Sequence, residues 1–370
     1  MGWTFLSQAS GNKFVIQVHV QLFPLHEPLS RYDAMTIFSE NPALRNQWYA
    51  AASEHELKQR PIGRTILNQN IVIYRDAEDQ VIAAPDRCPH RQAPLSAGSV
   101  EKGVLTCIYH GWSFGAGGRC VAIPSAAPNS TIPRNGHLSC INTRVRYGLV
   151  WICLGDDPAE LPAITQEDDA SFRRINNPIE KWRASATRMT DNFLDIAHFP
   201  WVHTGTFGNN QNTLVEHIKL EVLEGGYYGY KYDVVAENPD SANLTSGQAG
   251  NTVSRAMTTG FHLPFTVRST IAYHTGLEHI ILLLTTPIDD LNSYFTFVVW
   301  RNDDFSVSAE DVIAFDRTIG QEDKTMLERV PGVLPLTPST LASTQSDKAS
   351  TAWRHQLSRL LKSSVQSQDH

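Results

Sequence analysis

The sequence predicts an α+β protein of two domains. Residues 41–157 form a small, all-β antiparallel domain, and residues 158–370 form a larger one in which helices cover a long antiparallel sheet. Three observations lead there. From Pro42 to Leu154 the chain is a series of short β-branched segments parted by turn residues. Between Tyr228 and Trp300 the apolar segments lengthen to strand runs. Beyond residue 308 the apolar spacing changes to the helical one.

In the first domain, Asn46-Gln47-Trp48-Tyr49 opens the fold. Arg64–Leu67, Asn70–Tyr74 and Gln80–Ala84 read as strands, with a turn at Asp76-Ala-Glu-Asp79. Gly115-Ala-Gly-Gly118 is a turn that lets a hairpin close, and Arg146–Ile152 is the last strand. In the second domain a helix is expected at about 186–199. Strands are expected at Lys219–Leu223, Tyr228–Val235, Phe265–Tyr273, Ile280–Thr286 and Tyr294–Trp300, and a helix at 308–330. Trp353, Leu357, Leu360 and Leu361 mark a C-terminal helix. The polar stretches 238–251 and 337–350 read as loops. Residues 1–40 are an N-terminal extension, disordered in part, in which Phe14–Val20 could add an edge strand.

Composition narrows the function. A chain of 370 residues with 41% hydrophobic and 19% charged residues can bury two ordinary cores. A net charge of −7 gives no basic footprint for nucleic acid. No apolar run approaches the ~18 residues of a membrane span, and residues 1–34 lack the pattern of a signal peptide. Five cysteines do not make a disulfide framework. Cys120, Cys140 and Cys153 read as small buried thiols, and the protein is expected in the cytoplasm.

The chemistry starts at Cys88-Pro-His90 and, sixteen residues on, Cys107-Ile-Tyr-His110. Two thiolates and two imidazoles could hold one tetrahedral zinc. They could instead hold a [2Fe–2S] cluster of the Rieske kind, with both sulfurs on one iron and both imidazoles on the other. A zinc finger puts its two cysteines in one arm. Here each arm brings one Cys and one His, as a cluster clasped between two loops requires, so the cluster is the expectation.

A second constellation follows at Asn192, Asp195, His198 and His203. On a helix Asp195 and His198 share a face at i, i+3. Pro200 should stop that helix and turn the chain so that the two imidazoles converge. Two His and a carboxylate with open positions form the facial triad of mononuclear iron(II) oxygen chemistry. For the carboxylate, the stripe Val312, Phe315, Ile319, Met326, Val330 on the 308–330 helix has Asp323 near its centre and Glu322 near its edge. A carboxylate amid an apolar face needs a partner or a metal, so Asp323 is the expected ligand and Glu322 the fallback. Asp195 then takes the free N–H of His198, and Asn192 could hold water or contact the metal's surroundings. Phe207, Phe261, His262, Phe265 and Tyr294 line the pocket or belong to the core.

Four stretches carry a family likeness: Cys88 to Gly98, Asp191 to His198, Thr204-Gly-Thr206 and Glu322-Asp-Lys324. From about Asn46 onward the chain resembles the catalytic α subunit of a Rieske non-haem iron oxygenase. It is most similar to the vanillate O-demethylase-like branch, which includes N-demethylases. Ring-dihydroxylating members usually carry His-Arg-Gly after the first cluster His and are longer; this chain has Gln92 there and is short, which favours monooxygenation. The resemblance implies a helix-grip catalytic domain, a mononuclear Fe(II) and a head-to-tail homotrimer. In that trimer Asp195 bridges His198 and His110 of the partner subunit. It further implies electrons from an NAD(P)H-dependent reductase, with or without a ferredoxin, and O₂ spent on a small organic substrate. O- or N-demethylation or C–H hydroxylation would result. The alternatives are aromatic ring cis-dihydroxylation, electron carriage without oxygen chemistry, or a zinc-stabilised binding module.

Overall fold

A computed structural model of the chain describes residues 41–57, 60–127, 130–337 and 341–366. The N-terminal extension, with its expected strand at 14–20, lies outside the described residues. The first domain begins with one helical turn, α1 (Pro42–Arg45), capped by the Asn41 side chain. Ten strands follow: β1 (Tyr49–Ser53), β2 (Ile62–Ile66), β3 (Gln69–Arg75), β4 (Val81–Pro85), β5 (Ser99–Glu101), β6 (Val104–Thr106), β7 (Ser113–Phe114), β8 (Cys120–Ala122), β9 (Asn142–Arg146) and β10 (Leu149–Cys153). They pair antiparallel in three sheets, β1-β10-β9, β2-β3-β4 and β5-β6-β7-β8.

The expected strands and the Asp76 turn are present; Asp76 holds that turn by accepting from the N–H groups of Glu78 and Gln80. One reading changes. Arg146–Ile152 is not a single strand but the β9–β10 hairpin, because Tyr147 and Gly148 both take left-handed backbone (φ 60° and 68°) and reverse the chain in two residues.

The second domain carries an eight-stranded antiparallel sheet. Its strands are β11 (Arg173–Asn176), β12 (Glu180–Trp182), β13 (Glu221–Val222), β14 (Tyr228–Glu237), β15 (Thr252–His262), β16 (Thr266–Ala272), β17 (Glu278–Pro287) and β18 (Ser293–Arg301). They run in the order β11-β18-β17-β16-β15-β14-β13, with β12 also on β18. The helices are α2 (Ala186–Phe193), α3 (Phe199–Val202), α4 (Asp240–Ser246), α5 (Ala309–Leu327) and α6 (Lys348–Gln366).

Side chains alternate across a strand, and β17 and β18 use both faces. Ile280, Leu282, Leu284, Val298 and Trp300 pack against Trp48, Ala50, Leu149 and Trp151 of the first domain. The intervening residues Ile281, Leu283, Phe295 and Phe297 point the other way, into a cavity closed by α2 and α5. Helix α6 seals one end: Trp353 and Leu357 are fully buried, and the Trp353 indole N–H donates to the Pro264 carbonyl at 2.8 Å.

Several sequence expectations shift. The helix expected at 186–199 ends at Phe193. The stripe on α5 is rotated slightly, so Leu327 is buried where Met326 was expected, and Met326 is exposed. The expected loop at 238–251 contains α4, and the Lys219–Leu223 strand shrinks to Glu221–Val222. Strand β15, eleven residues long, was not foreseen. All five cysteines are free; Cys120 and Cys153 are buried as expected, but Cys140 is exposed.

Candidate metal centres

The first centre sits on two loops built alike. In one, the Cys88 N–H donates to the Ala93 carbonyl at 2.8 Å and the Gln92 N–H to the Cys88 carbonyl at 2.8 Å. In the other, the Cys107 N–H donates to the Trp112 carbonyl at 2.9 Å and the Gly111 N–H to the Cys107 carbonyl at 3.0 Å. Each loop turns through a left-handed residue at the same place, Gln92 (φ 58°) and Gly111 (φ 69°). A glycine suits that conformation better than a side chain does, which gives the Gln92 position its physical meaning.

The four side chains meet at the loop tips. Cys88 and Cys107 are buried side by side, and the His90 and His110 rings lie 4.5 Å apart at 67°. The His90 Nδ1 is buried without any hydrogen-bond partner, and its ring stacks on Trp112 at 4.9 Å. Burial pushes the Cys88 thiol up to about 11, so a thiolate there needs a cation to balance it. Orphaned imidazole nitrogen and paired thiols together fit a metal cluster bound by both loops. The rim is exposed, with Ile108 69% and Tyr109 59% accessible.

The second centre collects residues from two distant stretches. After α2 ends, the Asp195 carboxylate accepts from the backbone N–H groups of Ala197 and His198, both at 3.0 Å, so it caps a new turn. Asp195 and His198 are therefore not on one face of a helix, as their spacing suggests. The break falls at Leu194, and Pro200 is the second residue of α3 rather than the stop signal. The reason is local: the Asp195 side chain offers the backbone a competing acceptor.

The outcome is nevertheless convergence. His198 Nε2 and His203 Nε2 face one another at 3.2 Å, and each is 3.5 Å from Asp323 Oδ1 on α5. Among the described residues these three form a cluster able to hold a metal ion. Ligands about 2.1 Å from a common ion and roughly at right angles lie about 3 Å apart, close to what is seen. Two bare imidazole nitrogens pointing at one another are also hard to explain without an ion or a proton between them.

Each of the three has a support. Asp195 Oδ2 meets His198 Nδ1 at 3.0 Å. Glu322 Oε2 meets His203 Nδ1 at 2.9 Å and accepts from the Thr206 hydroxyl at 2.7 Å. The Asn192 amide donates to Asp323 Oδ1 at 2.9 Å. Glu322, the fallback ligand in the sequence, instead steadies a histidine; adjacent residues on a helix point about 100° apart, so only one of the pair can face the site. The one sequence signal for this support is the hydroxyl of Thr206, three residues after His203.

Electrostatics follow the geometry. Burial works to lower His198, but hydrogen bonds to Asp195 and Asp323 hold it up at about 9. Burial, with the neighbouring His198, holds His203 down. Asp195 stays below the usual carboxylate range despite burial, because His198 and the two backbone N–H groups stabilise its charge.

A cavity opens beside this cluster. Its walls are the inward residues of β15 (Arg255, Met257, Thr259), β16 (Ser269, Ile271), β17 and β18, with Tyr273 just after β16 and Phe193, Phe207, Phe315 and Ile319 completing them. Of the five pocket candidates in the sequence, only Phe207 lies on it. Phe261 and Phe265 are core residues, and His262 and Tyr294 lie elsewhere.

Comparisons with known proteins agree with both centres' neighbourhoods. Residues 47–141 match the Rieske [2Fe-2S] domain, and residues 182–363 match the vanillate O-demethylase oxygenase C-terminal domain. The methylxanthine N1-demethylase NdmA of Pseudomonas putida is 28% identical over 334 residues, covering 88% of this chain and 91% of the relative. The oxygenase component of dicamba O-demethylase of Stenotrophomonas maltophilia is 34% identical over 186 residues, covering 49% and 53%. The structure of Pseudomonas putida NdmA with caffeine superposes with a TM-score of 0.74 at 27% identity, covering 88% of this chain and 93% of that one. Among the described residues, no helix is long and apolar enough to cross a membrane.

Proposed function

Because this chain belongs to the Rieske non-haem iron oxygenases, in the vanillate O-demethylase branch, we propose that it is the terminal oxygenase of a monooxygenase system. It removes an O- or N-methyl group from, or hydroxylates a C–H bond of, a small organic molecule. Cys88, His90, Cys107 and His110 hold the [2Fe–2S] cluster, and His198, His203 and Asp323 hold the mononuclear Fe(II). The cluster supplies electrons, one at a time, and the lone iron supplies oxygen activation.

The chain's own residues prepare that chemistry. Asp195 and Glu322 fix the ring orientation and tautomer of the two histidines, leaving each Nε2 free to face the ion. Asn192 holds Asp323 through one oxygen. The apolar walls keep bulk water from the reacting carbon, and Asn192, Arg255, Thr259, Ser269, Tyr273 and Asp316 put polar groups along them. Oxygenase components of this family take their electrons from a reductase or ferredoxin; here that partner is NAD(P)H-dependent, and the free cysteines suit a reducing cytoplasm.

The chain works as a head-to-tail homotrimer, with Asp195 passing the electron between His110 of the partner subunit and His198. Supporting this are the exposed apolar residues at each end of the route, Ile108 and Tyr109 beside the cluster and Trp201, 66% accessible, between the two histidines. Domain limits of 41–157 and 158–370 complete the reading.

The observation that carries it is the His198–His203–Asp323 convergence in a chain that also bears the cluster loops. Metal analysis and turnover test it. Three irons per chain, a red-brown colour and formaldehyde or hydroxylated product with reductase, NAD(P)H and O₂ are expected. Two irons, or a colourless zinc protein, would refute it.

A further inference from the structure

The cavity beside the candidate iron site contains a cation without a counter-charge. Four arginines in the described chain are buried: Arg255, Arg268, Arg301 and Arg354. Arg268 pairs with Glu224 at 2.8 Å, Arg301 with Asp303 at 2.6 Å and Arg354 with Asp191 at 3.2 Å. Arg255, 4% exposed, pairs with no carboxylate among the described residues, and its Nε has no hydrogen-bond partner. Its guanidinium lies 5.4 Å from the Phe207 ring centre and 6.0 Å from that of Tyr273. The Tyr273 hydroxyl is buried and unpartnered as well.

Aromatic faces attract a guanidinium but do not replace an anion. The other acid on this wall is already engaged: Asp316 faces His279 at 3.0 Å, and His279 in turn accepts from Arg301 at 3.2 Å. A buried, unpaired cation costs stability, and in a ligand cavity it marks the place where the ligand brings the missing charge. A planar guanidinium suits a carboxylate or sulfonate in particular.

Position supports the same conclusion. Phe207 stacks on His203 with ring centres 4.9 Å apart. With the 5.4 Å from Phe207 to Arg255, the guanidinium lies no farther than the two distances together, about 10 Å, from the His203 ring. A substituted aromatic ring is long enough to span a separation within that limit, and Phe193, Phe295, Phe297 and Phe315 provide apolar walls for it.

We infer that Arg255, with the Tyr273 hydroxyl, binds the acid group of the substrate. The enzyme takes small aromatic carboxylates or sulfonates, with the acid at Arg255 and the carbon to be oxidised toward His198, His203 and Asp323. For the oxidation this rests on the oxygenase reading above; for the binding it does not.

Calorimetric titration of the full-length, iron-loaded protein tests it. The probes are 4-methoxybenzoate, 4-methoxybenzenesulfonate, neutral 4-methoxybenzamide and caffeine. At least one acid is expected to bind tenfold or more tightly than both neutral probes; which acid wins identifies the group recognised. Arg255→Met should erase that preference, Arg255→Lys should keep part of it, and Arg255→Met should melt no lower than the parent because no ion pair is lost. Acids binding no better than the neutral probes, no binding of either acid, or an Arg255→Met protein that still prefers acids would overturn the assignment. The wild-type comparison stands even if the variant does not fold. With reductase, NAD(P)H and O₂ supplied, acid-selective binding with neither iron-dependent formaldehyde release nor hydroxylated product would sink the oxygenase reading and leave Arg255 standing; turnover of a neutral probe alone would do the reverse.

Discussion

At the tip of the first domain, four candidate metal-binding side chains come from two loops that share one hydrogen-bond pattern and are neighbours in sequence. In the second domain, three converge from a capped turn and from α5, and the support between Asn192 and Asp323 spans 131 residues. The first arrangement is local: each loop fixes its own Cys and His through its own backbone. The second exists only while α5 is packed against α2 and the sheet. The cluster loops also end at an exposed rim, whereas His203 is 1% exposed. The proposed electron store therefore lies at the surface, and the proposed site of oxygen chemistry lies largely in the interior.

The two centres should be separable by substitution. His203→Ala or Asp323→Ala is expected to lower turnover by more than about a thousandfold, beyond the ~10–100-fold that outer partners cost. Such variants should lose one iron of three and keep the visible cluster spectrum. Cys107→Ser should do the opposite, bleaching the spectrum while one iron stays. If either change removes both, the centres are not independent.

Asp195→Asn sharpens the comparison by acting between them. Asn has the same shape but a single acceptor oxygen, so it keeps at most one of the caps on Ala197 and His198 and removes the charge facing His198. Irons should be retained, while reoxidation of a pre-reduced cluster in a single turnover slows ~10–100-fold; an unchanged rate removes Asp195 from the electron route. Glu322→Gln bears on the second centre alone. Fe(II) affinity should fall about tenfold, toward the lower end for an outer partner, with the cluster spectrum untouched.

Per pH unit, the effect of pH on the second centre is of the same size. In the ion-free protein His198 keeps its proton up to about 9, since hydrogen bonds to Asp195 and Asp323 outweigh burial. An incoming ferrous ion must displace that proton, so affinity should rise about tenfold per pH unit toward 9 and level off above it. Anaerobic Fe(II) titration of chelator-treated protein near pH 7 should release close to one proton from this site. Affinity that does not change between pH 6 and 8 would contradict the arrangement.

The Cys-x-His and Cys-x-x-His arms were legible in sequence because their geometry is made within a few residues, and so were the β3, β4, β17 and β18 strands with their dense apolar runs. His198, His203 and Asp323 could be named from residue chemistry, although the helix break was assigned to Pro200 rather than to the capping Asp195. Strand β15 escaped notice because Arg255 occupies an inward position where an apolar residue would have completed the alternation.

The sequence by itself determined which side chains could bind metal and the class of chemistry they serve. The apolar stripe of α5 singled out Asp323 over Glu322, but only the packing of α5 over the sheet decided that Glu322 turns to His203 Nδ1. The same packing left Arg255 buried without a partner. Which residue a side chain meets across the fold depends on contacts between residues far apart in the chain, and no local pattern encodes it.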